Sequence, residues 1–380
     1  MKKLRWIPLL WRMALPLSAQ VDNAALEFGG VPEPDSAGWN LGVEYLSYFK
    51  NNEYYSPINP GQTWFGMQVL PTLQFRPAGP LLFRAGVFMQ REYGSTQFTD
   101  RILPWFSLEY RTQDWRFQAG NLNSAVNHRM IEPMLDYETA FYRRMEYGMS
   151  ALRKRRNSEW ETWIDWQRNI RRNDPFQERF LIGSRFSGRL LGGKSWSLRL
   201  PLHMTLFHAG GQINTGPEPN VSKLNTAAGL RLELAEGRLA FETHLLHSVD
   251  FSPNPVQPWI DGHAWYSNAI FRMHKHWQLT ATRWLGTEWQ SPVGGPIFGG
   301  VNNYDVYLNE RVRELWMLRL QYVREILPGF WFDARLEPHY DRNLGRAELS
   351  HGLFFSYRNR LWKGTQQASQ RLPSVDPNTQ

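Results

Sequence analysis

The chain has 380 residues, no cysteine and a formal net charge of +8 at pH 7. The lack of cysteine excludes disulfides, cysteine-ligated zinc and a thiol nucleophile. The basic residues are scattered except for the run 153–156, which we interpret as a solvated turn, so we expect no nucleic-acid partner.

The N-terminal residues have the pattern of a secretory signal peptide. Lys2, Lys3 and Arg5 precede a largely apolar stretch that is too short for a membrane helix. We therefore predict a signal peptide over residues 1–19 and export of the mature chain. Residues 20–37 contain several glycines and prolines and are predicted to form an irregular lead-in.

Residues 38–362 repeat stretches in which apolar and polar side chains alternate. Near the end of this region, for example, Phe330 and Phe332 share one face, opposite Asp333 and Arg335. The 3.6-residue period of a helix would scatter these side chains around its surface, so the pattern favours strands. We count about sixteen such stretches, most of them about as long as a tilted membrane-spanning strand.

The connections between these stretches are alternately short and long. This order predicts an all-β fold: a transmembrane, antiparallel, up-and-down β-barrel of about 16 strands with both termini on the periplasmic side. The 18 Trp, 15 Tyr and 22 Phe residues fit the aromatic belts of such a barrel. Residues 38–362 would form the barrel, and residues 363–380 a disordered periplasmic tail.

This layout resembles the sixteen-stranded outer-membrane porins in strand number, loop order and placement of the termini. In those porins the third long loop folds into the barrel and narrows the pore, and the resemblance implies the same for residues 121–143. The charged and polar residues that would line such a constriction and set ion preference are Asn127, His128, Arg129, Glu132, Asp136 and Glu138. The alternative is a loop that caps the barrel from above.

The polar strand faces predict a lumen lined by charged side chains. The expected lumen-facing residues include Arg84, Arg185, Arg199, Arg231, Arg319, Asp333, Arg335 and Glu337. Arginine suits carboxylates and phosphates, so one interpretation is a path for anions. The other is that opposite charges on neighbouring strands pair and brace the wall.

The sequence gives little indication of a catalytic or metal site. Ser350 and His351 are adjacent and therefore face opposite sides of a strand, and His203 with Thr205 lacks an acid that would orient the histidine. The histidine spacings match no metal-binding motif. We therefore predict no metal, no cofactor and a protein that is not an enzyme.

The sequence favours an outer-membrane porin-like channel for passive or weakly selective passage of small hydrophilic solutes, anionic ones included. The expected partners are outer-membrane lipids, these solutes, and either a second copy of the chain or another outer-membrane protein. Two alternatives stay open. One is a non-conducting barrel subunit of a larger outer-membrane assembly, and the other is a membrane-embedded hydrolase.

Overall fold

The structure, a computed structural model, describes residues 23–34, 36–77, 79–213, 216–302 and 305–365. In this part of the chain sixteen antiparallel strands close into one barrel, in which each strand pairs with its neighbours in sequence and β1 pairs with β16. The strands are β1 Gly38–Glu53, β2 Thr63–Arg76, β3 Leu81–Glu92, β4 Arg101–Arg111, β5 Trp115–Leu122, β6 Glu146–Lys154, β7 Ser158–Arg168, β8 Arg179–Gly192, β9 Ser197–Ala209, β10 Val221–Leu234, β11 Leu239–Asp250, β12 Asp261–His274, β13 Trp277–Thr287, β14 Val312–Leu327, β15 Phe330–Asp341 and β16 Arg346–Thr365. The predicted all-β, up-and-down barrel is confirmed.

Period-two alternation places successive side chains inside and outside the barrel. On β11, Glu242 and His244 are buried on the inner face, whereas Phe241 and Leu245 are exposed on the outer face. The inner face is mainly polar and the outer face mainly apolar and aromatic. This inside-out distribution is what a membrane-spanning barrel requires, because lipid surrounds its outer surface.

Short turns and long loops alternate along the barrel, so both termini of the barrel lie at its short-turn end. The periplasmic location of this end stays a prediction. One short α-helix, α1 (Thr139–Tyr142), lies in the long connection between β5 and β6. No helix among the described residues has the length and apolar character needed to span a membrane.

The wall is not of even height. β5 has 8 residues and β6 has 9, whereas β1 and β14 each have 16. The wall is therefore low at the long-loop end, where the chain leaves β5. Residues 123–145, which follow, are called loop 3.

Two segments occupy the lumen. The N-terminal segment, residues 23–34, enters from the short-turn end, and loop 3 enters from the opposite end. They meet where Asn127 accepts a hydrogen bond from the backbone N–H of Phe28 and donates one to its carbonyl, both at 2.9 Å. Arg144 of loop 3 also donates to the carbonyl of Leu26 at 3.0 Å.

Loop 3 brings an apolar core into the polar lumen. Met130, Ile131 and Met134 are at most 4% exposed and pack in one cluster with inward-facing aromatic residues such as Trp163 and Trp284. The described part of residues 288–311, called loop 7, covers this cluster from the long-loop end. The two loops are joined by backbone hydrogen bonds from Asp136 to Val293 and from Gly295 to Glu132, both 2.8 Å.

The outermost segments of the chain lie outside the described residues. These include the predicted signal peptide, residues 1–19, and residues 366–380 of the predicted tail. β16 continues to Thr365, three residues past the predicted end of the barrel at Trp362. The signal peptide, the lead-in and the disordered tail stay predictions.

Candidate functional site

Loop 3 contacts the barrel wall on several sides, and each residue predicted to line a constriction has a partner. Asn127 binds the N-terminal segment as described above, and Arg129 forms an ion pair with Glu27 at 2.8 Å. Glu132 forms an ion pair with Arg319 of β14 at 2.9 Å. These residues lie inside the barrel. Their action as an ion-selective constriction stays a prediction.

His128 is the most deeply held of these residues. It is 2% exposed, its two ring nitrogens lie 2.7 Å from Glu146 and 3.0 Å from Glu161, and its ring stacks on Trp163 at 3.6 Å. Burial would lower the pKa of His128, but the two carboxylates outweigh burial and raise that pKa to about 10. His128 is therefore an imidazolium that fastens loop 3 to β6 and β7.

The tip of loop 3 carries a group of acids opposite β1. Glu138 accepts hydrogen bonds from Asn52 at 3.0 and 3.1 Å and lies 3.7 Å from the Lys50 ammonium group. Asp136 accepts the backbone N–H of Glu138 at 3.0 Å. Burial, reinforced by repulsion from Glu138, holds the pKa of Asp136 well above its usual range.

The predicted lumen-facing charges also lie inside the barrel, and most pair with a neighbour. The ion pairs are Arg84 with Glu33 and Glu109, Arg185 with Glu159, Arg231 with Glu233 and Glu242, Arg319 with Glu132 and Glu337, and Arg335 with Asp333. Arg199 donates to the hydroxyl of Ser187 at 3.1 Å. This arrangement is the bracing pattern, because the positive charges mostly face carboxylates on the same or adjacent strands.

Two chambers lie inside the long-loop end. The larger, about 530 Å³, is lined by the cations Arg143, Arg179 and Lys223 and by the acid Asp250. The smaller, about 300 Å³, lies beside the tip of loop 3. Among the described residues no group of three or more histidine, aspartate or glutamate side chains could hold a metal ion.

The inner wall holds the residues that the sequence offered as weak catalytic candidates. The ring of His203 lies 3.4 Å from the sulfur of Met130 and 5.4 Å, centre to centre, from the ring of His244. Thr205 is 1% exposed. Ser350 is hydrogen-bonded to Lys50 and donates to Asn52 at 2.8 Å. Loop 3 covers the wall around His203, so these groups are remote from the lipid that surrounds the barrel.

A serine–histidine pair lies on the outer face. Ser222 of β10 and His208 of β9 are cross-strand neighbours, and the Ser222 Oγ lies 2.8 Å from the His208 Nδ1. The adjacent Phe207 and Lys223 line the inner chamber, so His208 and Ser222 point outward from the wall. Both residues are close to the long-loop end, since β9 ends at Ala209 and β10 begins at Val221.

The pair belongs to an aromatic row on the outer face. Trp166 stacks on Phe180 with 5.2 Å between ring centres, and Phe180 lies 5.1 Å from the ring of His208. The row continues to exposed Phe251, whose backbone N–H donates to the Ser222 carbonyl at 3.0 Å. Ser222 is 8% exposed and its own N–H donates to Ser252 Oγ at 2.9 Å, which fixes the serine backbone.

A serine that is hydrogen-bonded to a histidine is the arrangement by which an enzyme activates a hydroxyl nucleophile. A family model described as lipid A 3'-O-deacylase-type matches residues 31–363, which is most of the barrel. The chain belongs to the lipid A 3'-O-deacylase-type family. The prediction that the protein is not an enzyme is therefore wrong, because this family is named for an enzymatic activity.

Solved structures that resemble this lipid A 3'-O-deacylase-type barrel include an outer-membrane protein and a porin. OprD from Pseudomonas aeruginosa has 10% sequence identity and a TM-score of 0.53, and the match covers 87% of this chain and 97% of OprD. OccK5 (OpdH) from the same organism has 10% identity and a TM-score of 0.53, with 86% and 99% covered. A BenF-like porin from Pseudomonas fluorescens Pf-5 has 8% identity and a TM-score of 0.50, with 85% and 99% covered.

These similarities confirm the porin-like, outer-membrane barrel fold that the strand pattern predicted. At such low identity they show the fold, and passage of solutes through this chain stays a prediction. No curated protein sequence matches the chain.

Sequence reasoning missed Ser222 and His208 because they are 14 residues apart, on two strands joined by a long loop. The sequence does indicate that both residues lie on the apolar face of their strands, close to the long loop.

Proposed function

We propose that the protein is an outer-membrane esterase that removes an ester-linked acyl chain from lipid A, with Ser222 as the nucleophile and His208 as the general base. The observation that carries this proposal is the 2.8 Å contact between the Ser222 Oγ and the His208 Nδ1 on the lipid-facing side of the barrel. Membership of the lipid A 3'-O-deacylase-type family supports the choice of substrate.

The position of the pair suits a lipid ester. Aromatic residues of membrane proteins gather at the membrane–water interface, at the level of the lipid headgroups. The ester bonds of a lipid lie between its headgroup and its acyl chains, which is close to that level. Because Ser222 and His208 lie in the row with Trp166 and Phe180, an ester could reach them from the membrane.

The chemistry follows from the contact. As the Ser222 oxygen attacks the ester carbonyl carbon, its proton passes to the His208 Nδ1, and a tetrahedral oxyanion forms. The imidazolium then gives that proton to the departing sugar oxygen, so that the C–O bond breaks and an acyl-serine remains. A water molecule, deprotonated by the same histidine, hydrolyses the acyl-serine and releases the fatty acid. The tilted contact between the His208 and Phe180 rings restricts the imidazole between these steps.

The experiment is a direct assay of the folded, full-length protein in mixed micelles with lipid A. Mass spectrometry of the lipid fraction should show a free fatty acid together with lipid A that lacks one acyl chain. Lipid A that stays intact in the presence of folded protein would overturn the proposal. Heat-modified migration on a gel shows that the barrel is folded in the same sample.

A second candidate function is a channel for small hydrophilic solutes, including anions. The larger inner chamber favours it, because three cations and one acid among its lining residues would attract anions. Between this chamber and the short-turn end, loop 3 and the N-terminal segment occupy the lumen.

We predict that loop 3 limits conductance. Replacing residues 125–141 with a short Gly/Ser linker should raise single-channel conductance in planar bilayers severalfold, because this segment crosses the lumen. The matched control shortens the mostly exposed loop of residues 94–99, which should leave conductance unchanged. If the loop 3 variant folds and has the same conductance as the parent protein, a solute path limited by loop 3 is excluded.

A further inference from the structure

The outer wall carries a groove that lies apart from the serine–histidine pair. It runs across the outward faces of β9 to β16 and has a volume of about 940 Å³, within the range of about 300–1,000 Å³ that is typical of ligand pockets. We call it the wall groove. Its floor is formed by Thr243, Ser267, Ala269 and Ala281, and Phe241 and Trp316 border it.

The shape of the wall groove comes from side-chain size. Thr243, Ser267 and Arg283 are successive cross-strand neighbours on β11, β12 and β13, and Trp316 of β14 follows them. Small residues along this row leave the wall recessed between larger ones. The row runs perpendicular to the strands, which tilt by about 35–45° in such barrels, so the groove crosses the membrane obliquely. Seven strand intervals of about 4.8 Å give it a length of about 34 Å along this oblique direction.

The wall groove is apolar along its length, and one cation borders it about halfway along, where Arg283 follows Ser267 in the row. Arg283 is outward-facing, and its guanidinium lies 3.2 Å from Glu314 and 5.0 Å from the Trp316 ring centre. Glu314 is also paired with Arg342 at 2.5 Å, so two cations share one carboxylate and leave one net positive charge. The side chains of Arg283 and Arg342 are 49% and 66% exposed. A charged residue on the lipid face is costly unless it has a partner, and arginine binds phosphates as well as carboxylates with two parallel hydrogen bonds.

We propose that the wall groove binds one acyl chain of a phosphate-bearing membrane lipid, whose phosphate contacts Arg283. The groove supplies the recessed apolar path for the chain, and the excess positive charge selects an anionic headgroup. Neither Ser222 nor His208 lines it. This binding is therefore independent of the proposed hydrolysis, and either proposal can fail without the other.

The test is native mass spectrometry of the full-length protein in detergent with added phosphatidylglycerol or phosphatidylcholine. Ala281→Trp fills the groove floor and should reduce bound phosphatidylglycerol at least tenfold. Arg283→Gln should weaken the binding of phosphatidylglycerol about tenfold, as expected for loss of a charge-assisted hydrogen bond. The variant should then bind phosphatidylglycerol and phosphatidylcholine equally well. One control is Ala228→Trp, which lies on the same face outside the groove. The other is Arg324→Gln, which changes an exposed outward arginine near the short-turn end. Both variants should bind phosphatidylglycerol as the parent protein does.

Equal lipid binding by the Ala281→Trp and Ala228→Trp variants would overturn the proposal. The proposal would also be overturned if the groove variants changed the population of dimers and left the amount of bound lipid unchanged. In that case the groove would be an interface between two copies of the chain. Ser222→Ala should keep the lipid adduct. A parent protein that binds lipid but does not cleave lipid A would contradict only the esterase.

Discussion

The Ser222→Ala variant is expected to lose lipid A deacylation, with kcat/KM reduced by roughly 10⁴- to 10⁶-fold, because the attacking oxygen is removed. His208→Ala should lower kcat by about 10²- to 10⁴-fold, since the hydroxyl then has no base within hydrogen-bond distance. Both variants should keep the KM for lipid A close to that of the parent, because neither change removes the surface on which the acyl chains lie.

The control for this prediction is Ser47→Ala, which removes an outward-facing serine hydroxyl on β1, far from β9 and β10. It should deacylate lipid A at the parental rate. A Ser222→Ala variant that retains full activity would show that the nucleophile lies elsewhere. Thr205→Ala would then test the other candidate nucleophile, because Thr205 lies two residues from His203 on the inner face of β9.

The His128→Leu variant is expected to lower the free energy of unfolding by about 3–5 kcal/mol. The reason is that Glu146 and Glu161 would then remain buried side by side without the imidazolium that separates them. Urea unfolding in lipid vesicles, followed by tryptophan fluorescence, measures this loss. The change should also loosen loop 3, which is visible as faster backbone hydrogen exchange over residues 123–145.

The same contact gives a pH dependence with a definite sign. The pKa of His128 in the folded protein is about 10, above its ordinary value of about 6.5. The stability that the imidazolium contributes is therefore complete below about pH 6.5 and is lost as the pH rises through 10. Between pH 6.5 and 10 the free energy of unfolding of the parent protein should decline, and the decline should be smaller for His128→Leu.

Two variants separate this effect from a general loss of packing. His263→Leu changes an exposed outward histidine of β12 and should have little effect. Glu146→Gln combined with Glu161→Gln in the His128→Leu background removes the repulsion and should restore part of the stability. If the triple variant is no more stable than His128→Leu, the ion pairs are not what fastens loop 3.

The strand pattern predicted the wall well because period-two alternation depends only on neighbouring residues. The alternation assigned Arg231 and Arg335 to the inner face, where both are buried. The cross-strand partner of Arg231, Glu242 on β11, was not predictable, because this pairing depends on the register between strands. The path of the N-terminal segment through the lumen was also not predictable, because an irregular segment has no periodicity that indicates its contacts.

The same limit explains why the candidate active site was missed. Ser222 faces His208 because of the register between β9 and β10, and the long connection between these strands does not indicate that register in the sequence as a tight turn would. The sequence shows directly only those serines and histidines that are close together within one strand, such as Ser350 and His351. A pair that forms across two strands has no signature in either strand alone.

The low wall beside loop 3 has a consequence for the edges of the sheet. β4 pairs with β5 only from Ser107 to Arg111, so the described ladder leaves residues 101–106 paired with β3 alone. An exposed strand edge cannot stay unsatisfied in lipid and is a template for another chain.

A side chain of β5 and the backbone of loop 3 accept hydrogen bonds from β4 where β5 does not pair with it. The Asn121 side chain accepts the N–H of Phe106 at 2.7 Å, and the Tyr142 carbonyl accepts the Arg101 guanidinium at 2.5 Å. The segment that fills the barrel thus also completes its rim. Without the Asn121 side chain and the backbone of loop 3 at Tyr142, this edge of β4 would be unpaired and open to a neighbouring lipid or a second barrel.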